Sequence, residues 1–238
     1  KTYADVGFDQ WGASGLAVAW AEENTRDSIF KAFKRKETFA TTGTRMAVRF
    51  FAGFDLESID LESEEMVKNA YAKGVTMGAD LFGSNDQAPQ FLVWAQRDKL
   101  GAPLQRVQII KGWVENASGT PKEQVYDVAC SDGLAVDPIT NRCPDNGARV
   151  NINDCSISND VGAVELKTTW EDPEFDPTIK AFYYVRVLEN PTCRWSTWDA
   201  IKAGVSPRPD LHKTIQERAW SSPIWYIPEA SELDIIPL

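Results

Sequence analysis

Residues 24–53 contain two periodicities of apolar residues, which predict a helix followed by a strand. Ile29, Phe30 and Phe33 recur at helical spacing and form one apolar stripe. From residue 45 onward, apolar and polar residues alternate as they do in a half-buried strand. The helical period ends at residues 41–43, where Gly43 can take a positive φ without steric cost. We interpret this stretch as the junction between an α/β unit and a β-rich domain.

The apolar run at residues 16–20 is typical of a buried parallel strand. It leads directly into the predicted helix, so the two elements make half of a βαβ unit. Half a βαβ unit cannot cover both of its own faces, which indicates that the chain is the C-terminal part of a longer protein. The sequence therefore predicts two parts: residues 1–43, the last strand and helix of a truncated barrel, and residues 44–238, a β-sandwich domain.

The rest of the pattern predicts consecutive strands with few helices between them. Two short helices are predicted at residues 64–72 and 198–203. Strands are predicted at residues 45–54, 90–95, 104–115, 124–129, 163–170, 181–189 and 215–227, the last as a strand pair or one strand bent at Pro223. About seven consecutive strands favour an antiparallel, Ig-like β-sandwich and a mostly β fold class.

Charge and hydropathy exclude two classes of partner. The 238 residues carry a formal net charge of −10, which argues against binding to nucleic acid or to anionic membranes. No apolar run approaches the ~20 residues that a membrane-spanning helix needs. We therefore expect neither a nucleic-acid partner nor a membrane span.

The four cysteines all lie in the C-terminal half and include no CxxC pair, which argues against a zinc ribbon. Their position among loop residues suits two disulfides formed in an oxidising compartment. Of the three pairings that four cysteines allow, we favour Cys130–Cys143 and Cys155–Cys193. The alternative is four buried free thiols in a cytosolic protein.

Two groups of residues are candidates for a functional site. Glu22 and Glu23 follow a predicted strand and precede a helix, the edge of an α/β sheet where ligands bind, so they are candidates for the rim of a catalytic site. The alternative is that they are solvated carboxylates near a helix start. Arg194, Trp195 and Trp198 could stack a sugar or hold an anion, although core aromatics beside a disulfide would give the same pattern.

The sequence predicts no catalytic residue and no metal site within this chain. His212 is its only histidine, so a multi-histidine metal site is excluded. A loop offers hard oxygen ligands for calcium at Asp137, Asn141, Asp145, Asn146, Asn151, Asn153 and Asp154. Their spacing fits no EF-hand, and the needs of turns explain the same composition.

Several stretches resemble one protein family. Residues 15–54, 175–200 and 214–230 are similar to the C-terminal part of the domain-of-unknown-function family 3604, a branch of the PHP (polymerase and histidinol phosphatase) superfamily of metal-dependent hydrolases. Residues 107–115 and 125–133 also fit. The resemblance covers nearly the whole chain.

The resemblance implies a distorted (β/α) barrel with a cluster of two or three metal ions, followed by a β-sandwich. Zinc, manganese or iron would be bound by HxH and Asp-x-His motifs upstream, and none of these motifs occurs in this sequence. Residues 15–43 match the last strand and helix of that barrel, and residues 44–230 match the sandwich.

This reading predicts that the chain is the inactive C-terminal fragment of an exported hydrolase, a phosphoesterase of the bacterial periplasm or cell surface. Its partner would be the missing N-terminal barrel, and without that barrel the chain could associate with itself. The alternative function is an Ig-like binding module for a glycan or a protein.

Overall fold

The computed structural model describes residues 11–83, 87–115 and 117–229, and within them the fold is mostly β. The helices are α1 (Arg26–Lys34), α2 (Met66–Lys73) and α3 (Trp195–Lys202). The first eight strands are β1 (Leu16–Ala19), β2 (Thr38–Thr41), β3 (Ala47–Gly53), β4 (Gly74–Thr76), β5 (Asp80–Phe82), β6 (Gln90–Gln96), β7 (Leu104–Val114) and β8 (Pro121–Cys130). The others are β9 (Val150–Asn151), β10 (Ser156–Ile157), β11 (Glu165–Glu171), β12 (Ala181–Glu189), β13 (Thr192–Cys193), β14 (Thr214–Ile215), β15 (Arg218–Ser221) and β16 (Ile224–Ile227).

The larger of the two main sheets has eight strands, with β12 at its centre. One edge of β12 pairs with β7, which in turn pairs with β8. The other edge pairs with β15 and then with β16 in the same direction, so of the two predicted alternatives the structure has one strand bent at Pro223. Beyond β15 lie β2 and β1, and β5 joins β16 in a parallel pair. All other pairs in this sheet are antiparallel.

The smaller sheet has four antiparallel strands in the order β11-β6-β3-β4. Its apolar face shares one core with the larger sheet: the ring of Phe91 lies 4.5 Å from that of Tyr183 and 5.7 Å from that of Phe50. All three residues are buried. A second apolar cluster, which includes Phe51 and Leu92, lies under α2 on the opposite face. The described strands form no closed barrel.

The interpretation of residues 16–20 as a buried parallel strand is wrong. β1 pairs antiparallel with β2, with Val18 opposite Phe39, and Leu16 is 38% exposed. α1 ends at Lys34, and the positive φ of Lys36 (56°) lets the chain turn back at once. The β-branched and aromatic residues of β2 then extend the larger sheet, which the helical reading of residues 35–41 had missed.

Hydrogen bonds cross the predicted boundary between residues 43 and 44. β2 pairs with β15, with Thr41 opposite Ala219. The indole nitrogen of Trp20 donates a hydrogen bond to the carbonyl oxygen of Val48 over 2.8 Å. The division into two domains remains a prediction, but the two parts share a sheet in this structure. None of the three helices in the described ranges is long and apolar enough to span a membrane.

Candidate functional site

A cleft of about 630 Å³ opens where the first strand–helix segment meets the smaller sheet. The segment after β1, the residues that follow α1, and β3, α2 and β4 all contribute to its lining. Its polar and aromatic lining consists of Trp20, Glu22, Arg35, Glu37, Arg49, Tyr71 and Thr76. The cleft therefore lies at the junction that the change of periodicity predicts.

Glu37 is the buried charge at the centre of this cleft, with 2% of its surface exposed. Its Oε2 atom accepts hydrogen bonds from Nε and Nη2 of Arg35, over 3.3 and 3.2 Å. Its Oε1 atom accepts one from Nη1 of Arg49 over 3.4 Å and another from the hydroxyl of Thr76 over 3.3 Å. Two guanidinium groups thus compensate one buried carboxylate, which is the arrangement that makes such burial tolerable.

Tyr71 links the two charged partners. Its hydroxyl accepts a hydrogen bond from Nη1 of Arg49 over 2.7 Å and donates one to Oε1 of Glu37. Burial raises the pKa of the Tyr71 phenol, and the hydrogen bond to Glu37 raises it further. The phenol therefore stays protonated at neutral pH and acts as a donor to the carboxylate.

Arg49 is held by stacking as well as by charge. Its guanidinium carbon lies 3.5 Å from the centre of the Trp20 ring, a cation–π contact. Its Nε atom is buried and has no hydrogen-bond partner among the described residues. We name the set Trp20, Arg35, Glu37, Arg49 and Tyr71 the clamp. It connects residues 20–37 to β3 and α2 through charge-assisted contacts.

The structure places one of the two predicted rim carboxylates at this cleft. Glu22 is exposed and lines the opening. Glu23 is exposed as well, and its backbone nitrogen donates to the hydroxyl of Ser28 over 3.1 Å. A catalytic role for either residue remains a prediction. The clamp itself was missed, although the arginine at position 49 interrupts an apolar strand and was a signal for a buried partner.

The predicted group of Arg194, Trp195 and Trp198 is divided by the structure. Nη2 of Arg194 and the indole nitrogen of Trp195 both donate to the carbonyl oxygen of Trp11, over 2.7 and 2.9 Å. They hold the start of the described chain against α3. Trp198 is 40% exposed, with the ammonium group of Lys202 5.8 Å from its ring centre. Of the three, Trp198 presents the ring that could stack on a ligand.

Arg194 also lines a basic cleft of about 640 Å³ with Arg106, Arg149, His212 and Arg218. Two of these charges are already compensated. Nη1 of Arg106 lies 2.9 Å from the carboxylate of Asp127, and Nη2 of Arg149 lies 2.9 Å from that of Asp145. The net positive charge of the cleft is therefore smaller than its four arginines suggest.

The loop that offered oxygen ligands for calcium uses its carboxylates to stabilise turns. Oδ1 of Asp137 accepts from the backbone nitrogens of Ile139 and Thr140, and these bonds lower the pKa of Asp137. Oδ1 of Asp154 accepts from the backbone nitrogen and hydroxyl of Ser156. In the described part of the chain, no group of three His, Cys, Asp or Glu side chains is placed to hold a metal ion.

Both predicted disulfides are confirmed. Cys130 at the end of β8 is bonded to Cys143, and Cys155 is bonded to Cys193 in β13. The second bond ties the irregular region after β8 to the segment that leads into α3. Free thiols are therefore not the state of these cysteines.

Comparison with known proteins identifies the family. The sequence model of the family described as "Protein of unknown function (DUF3604)" matches residues 2–228. The chain belongs to the DUF3604 family. No curated protein and no solved structure matches it. In this DUF3604 chain the match covers the clamp, α3 and both disulfides.

Proposed function

We propose that this DUF3604 chain is the C-terminal part of a PHP-type metal-dependent hydrolase, a phosphoesterase, and that it supports the catalytic barrel without holding the metal ions itself. The observation that carries the proposal is an uncovered aromatic face on α1. Phe30 and Phe33 are 59% and 54% exposed, and their i, i+3 spacing puts them on one side of the helix. The opposite side packs inward through Ala32, which is fully buried.

An exposed aromatic face of this kind favours the binding of another protein surface. Covering one large apolar side chain stabilises a protein by roughly 1.5–3 kcal/mol, so two exposed phenylalanines represent a substantial gain for docking. Lys31 and Lys34 flank them, and Lys34 lies 5.9 Å from the ring centre of Phe30. The docking surface on the barrel would therefore be apolar with an acidic margin. Without the barrel, the same face would let the isolated chain associate with itself.

The edge of the larger sheet next to α1 supports the same arrangement. β1 is a terminal strand of that sheet, and among the described residues only β2 pairs with it. An open edge offers unpaired backbone groups to a further strand. In the proposal, a barrel segment covers α1 and β1 together, and the two sheets form the Ig-like sandwich that follows the barrel.

The disulfides support a location outside the cytosol. Disulfide bonds form and persist in oxidising compartments, and this chain has two. We propose that the protein is exported to the bacterial periplasm or cell surface. In the barrel, zinc, manganese or iron would supply the hydrolytic chemistry.

The test is to sequence upstream of the present chain and to produce the longer gene product. The proposal expects an HxH motif in the upstream frame and metal-dependent hydrolysis of p-nitrophenyl phosphate by the longer product, with none by the chain alone. Replacing Phe30 and Phe33 by Asp should lower the activity or stability of the longer product. Phe82→Asp is a matched control, because Phe82 is 67% exposed on β5. An upstream frame without HxH would reject the proposal.

One further observation favours the alternative, an Ig-like module that binds a glycan. A groove of about 590 Å³ on the larger sheet contains Phe182 and Trp225, whose ring centres are 5.1 Å apart. Gly112 lies opposite Phe182, and a Cβ atom there would come within 2.2 Å of the ring, so glycine lets the ring lie across the strand. Lys180 adds a cation 5.5 Å from the Trp225 ring.

A glycan array with the isolated chain tests this alternative. Binding that is lost in Trp225→Ala would place the site in the groove, whereas loss in Trp198→Ala would place it at α3. An array with no signal for the folded chain would remove the glycan-binding function and leave the supporting role.

A further inference from the structure

Four buried side-chain oxygens without hydrogen-bond partners belong to three residues near the end of β12. The four atoms are the two carboxylate oxygens of Glu189, Oε2 of Glu217 and the hydroxyl oxygen of Thr44. Glu189 is completely buried, with 0% of its surface exposed. Buried polar atoms normally have partners, because each unpartnered one loses its interaction with water. Four such atoms in one neighbourhood therefore need an explanation.

The backbone brings these residues together. The nitrogen of Glu189 donates to the carbonyl oxygen of Glu217 over 3.0 Å, which continues the pairing of β12 with β15 by one residue. Directly opposed residues on antiparallel strands point to the same face of the sheet. Thr44 lies in the turn between β2 and β3, and β2 is the next strand beyond β15. The Thr44 hydroxyl and the backbone nitrogen of Ala102 lie near enough to the Glu189 carboxylate to lower its pKa, but neither contact has the geometry of a hydrogen bond.

Within the described residues, no cation forms a salt bridge that compensates this negative charge. In residues 11–83, 87–115 and 117–229, neither Glu189 nor Glu217 forms a salt bridge. Asp98 adds a third negative charge nearby, but the backbone nitrogens of Arg45 and Leu100 already donate to its two oxygens. Burial raises the pKa of Glu189 to about 7, and the charges of Glu217 and Asp98 raise it as well.

The donor set is made of oxygen atoms alone. Calcium binds carboxylate, hydroxyl and carbonyl oxygens with flexible geometry and accepts a bidentate carboxylate, whereas zinc prefers nitrogen and sulfur. We propose that Glu189, Glu217 and Thr44 form a calcium site, with Glu189 as the central ligand. Backbone oxygens or water would complete the coordination, because Asp98 is engaged elsewhere. The site is separate from the catalytic metals of the proposed barrel and does not depend on that function.

The position of the site gives calcium a structural role. Glu189 ends the central strand of the larger sheet, while Thr44 belongs to the turn that connects β2 to β3 in the smaller sheet. An ion bound to both would fix the two sheets relative to each other. Calcium would then stabilise the folded chain by mass action, since the unfolded chain has no assembled site.

The experiment is titration of calcium chloride into the EDTA-treated chain, followed by calorimetry and by thermal unfolding. We expect one site per chain with a Kd of about 10⁻⁴–10⁻³ M, the range of extracellular calcium modules. At a calcium concentration of 100 Kd, the folding equilibrium constant should rise about 100-fold. Magnesium chloride at the same concentration should have a much smaller effect, because Mg²⁺ requires near-ideal octahedral geometry.

Two variants and one control locate the ion. Glu189→Gln keeps the size of the side chain and removes its charge, so it should fold and lose the calcium response. Glu217→Gln, at a half-buried position, should weaken binding at least 10-fold. Asp145→Asn in the exposed loop should bind like wild type. The proposal is overturned if the wild-type chain shows no binding heat and no thermal shift, if both glutamine variants bind normally, or if Asp145→Asn is the variant that loses binding.

Discussion

A buried ion pair between Lys111 and Asp172 makes a strong prediction about stability. Nζ of Lys111 lies 2.5 Å from Oδ2 of Asp172, and the two side chains are 6% and 0% exposed. Nζ also donates to the carbonyl oxygen of Glu174 over 2.7 Å, and Oδ2 of Asp172 accepts from the hydroxyl of Tyr183 over 2.8 Å. The pair lies against Tyr183 of the shared core, so removing one partner leaves the other charge buried.

Lys111→Met removes one charge and leaves the carboxylate of Asp172 uncompensated. Breaking a buried pair in this way destabilises proteins by about 3–5 kcal/mol. For a chain of this size each kcal/mol lowers the melting temperature by about 2–4 °C, so the expected decrease is roughly 6–20 °C. Urea unfolding monitored by circular dichroism gives the free energy directly.

A double-mutant cycle tests the reason for the loss. Asp172→Asn removes the opposite charge, and the double variant Lys111→Met/Asp172→Asn should be more stable than the sum of the two single changes predicts. Lys122→Met is the control, because Lys122 is 44% exposed and lies 3.9 Å from Glu115, a pair worth at most about 1 kcal/mol. Additive single changes, or a loss below about 1 kcal/mol in Lys111→Met, would refute the reasoning.

Three further predictions concern the disulfides, the clamp and Glu189. Removing the Cys155–Cys193 bond, which closes a loop of 38 residues, by the double change Cys155→Ser/Cys193→Ser should lower stability by about 4 kcal/mol, measured by urea unfolding beside the wild type; an unchanged midpoint would contradict this. Glu37→Gln should cost about 2–4 kcal/mol because it leaves the guanidinium of Arg49 without its carboxylate, while the exposed Glu64→Gln should cost under about 0.5 kcal/mol. With calcium chelated, the free energy of unfolding should fall as pH rises from 4.5, the ordinary pKa of Glu189, through about 7, its folded value. Between these pH values the folded state keeps a proton on Glu189 that the unfolded state has released, so the free energy of unfolding falls by at most roughly 3 kcal/mol. Glu189→Gln should abolish this pH dependence in a series of urea titrations.

The long strands and the disulfides could be predicted because their signals are local. Alternation of apolar residues located β3, β6, β7, β8, β11 and β12. Loop composition indicated two disulfides, and the favoured one of the three possible pairings is the one found. For the strands, neighbouring residues carry enough information to locate the element.

The pairing of β1 and the clamp depend on contacts between distant residues. An apolar run of five residues does not say whether its neighbour is parallel or antiparallel, and here the neighbour is β2, only 18 residues later. Glu37 looks like a surface residue in a basic stretch until Arg49 and Tyr71 close over it. The exposed face of α1 was also ambiguous, because Ala32 and not Phe33 packs inward.

Hydroxyl-radical footprinting of α1 tests the supporting role most directly. Oxidation of Phe30 and Phe33 would be measured in the chain alone and in the longer gene product, with the exposed Phe82 as the internal reference. If a barrel covers α1, oxidation of Phe30 and Phe33 in the longer product should fall several-fold while that of Phe82 stays constant. Equal oxidation of Phe30 and Phe33 in the two proteins would contradict the docking of a barrel on this face.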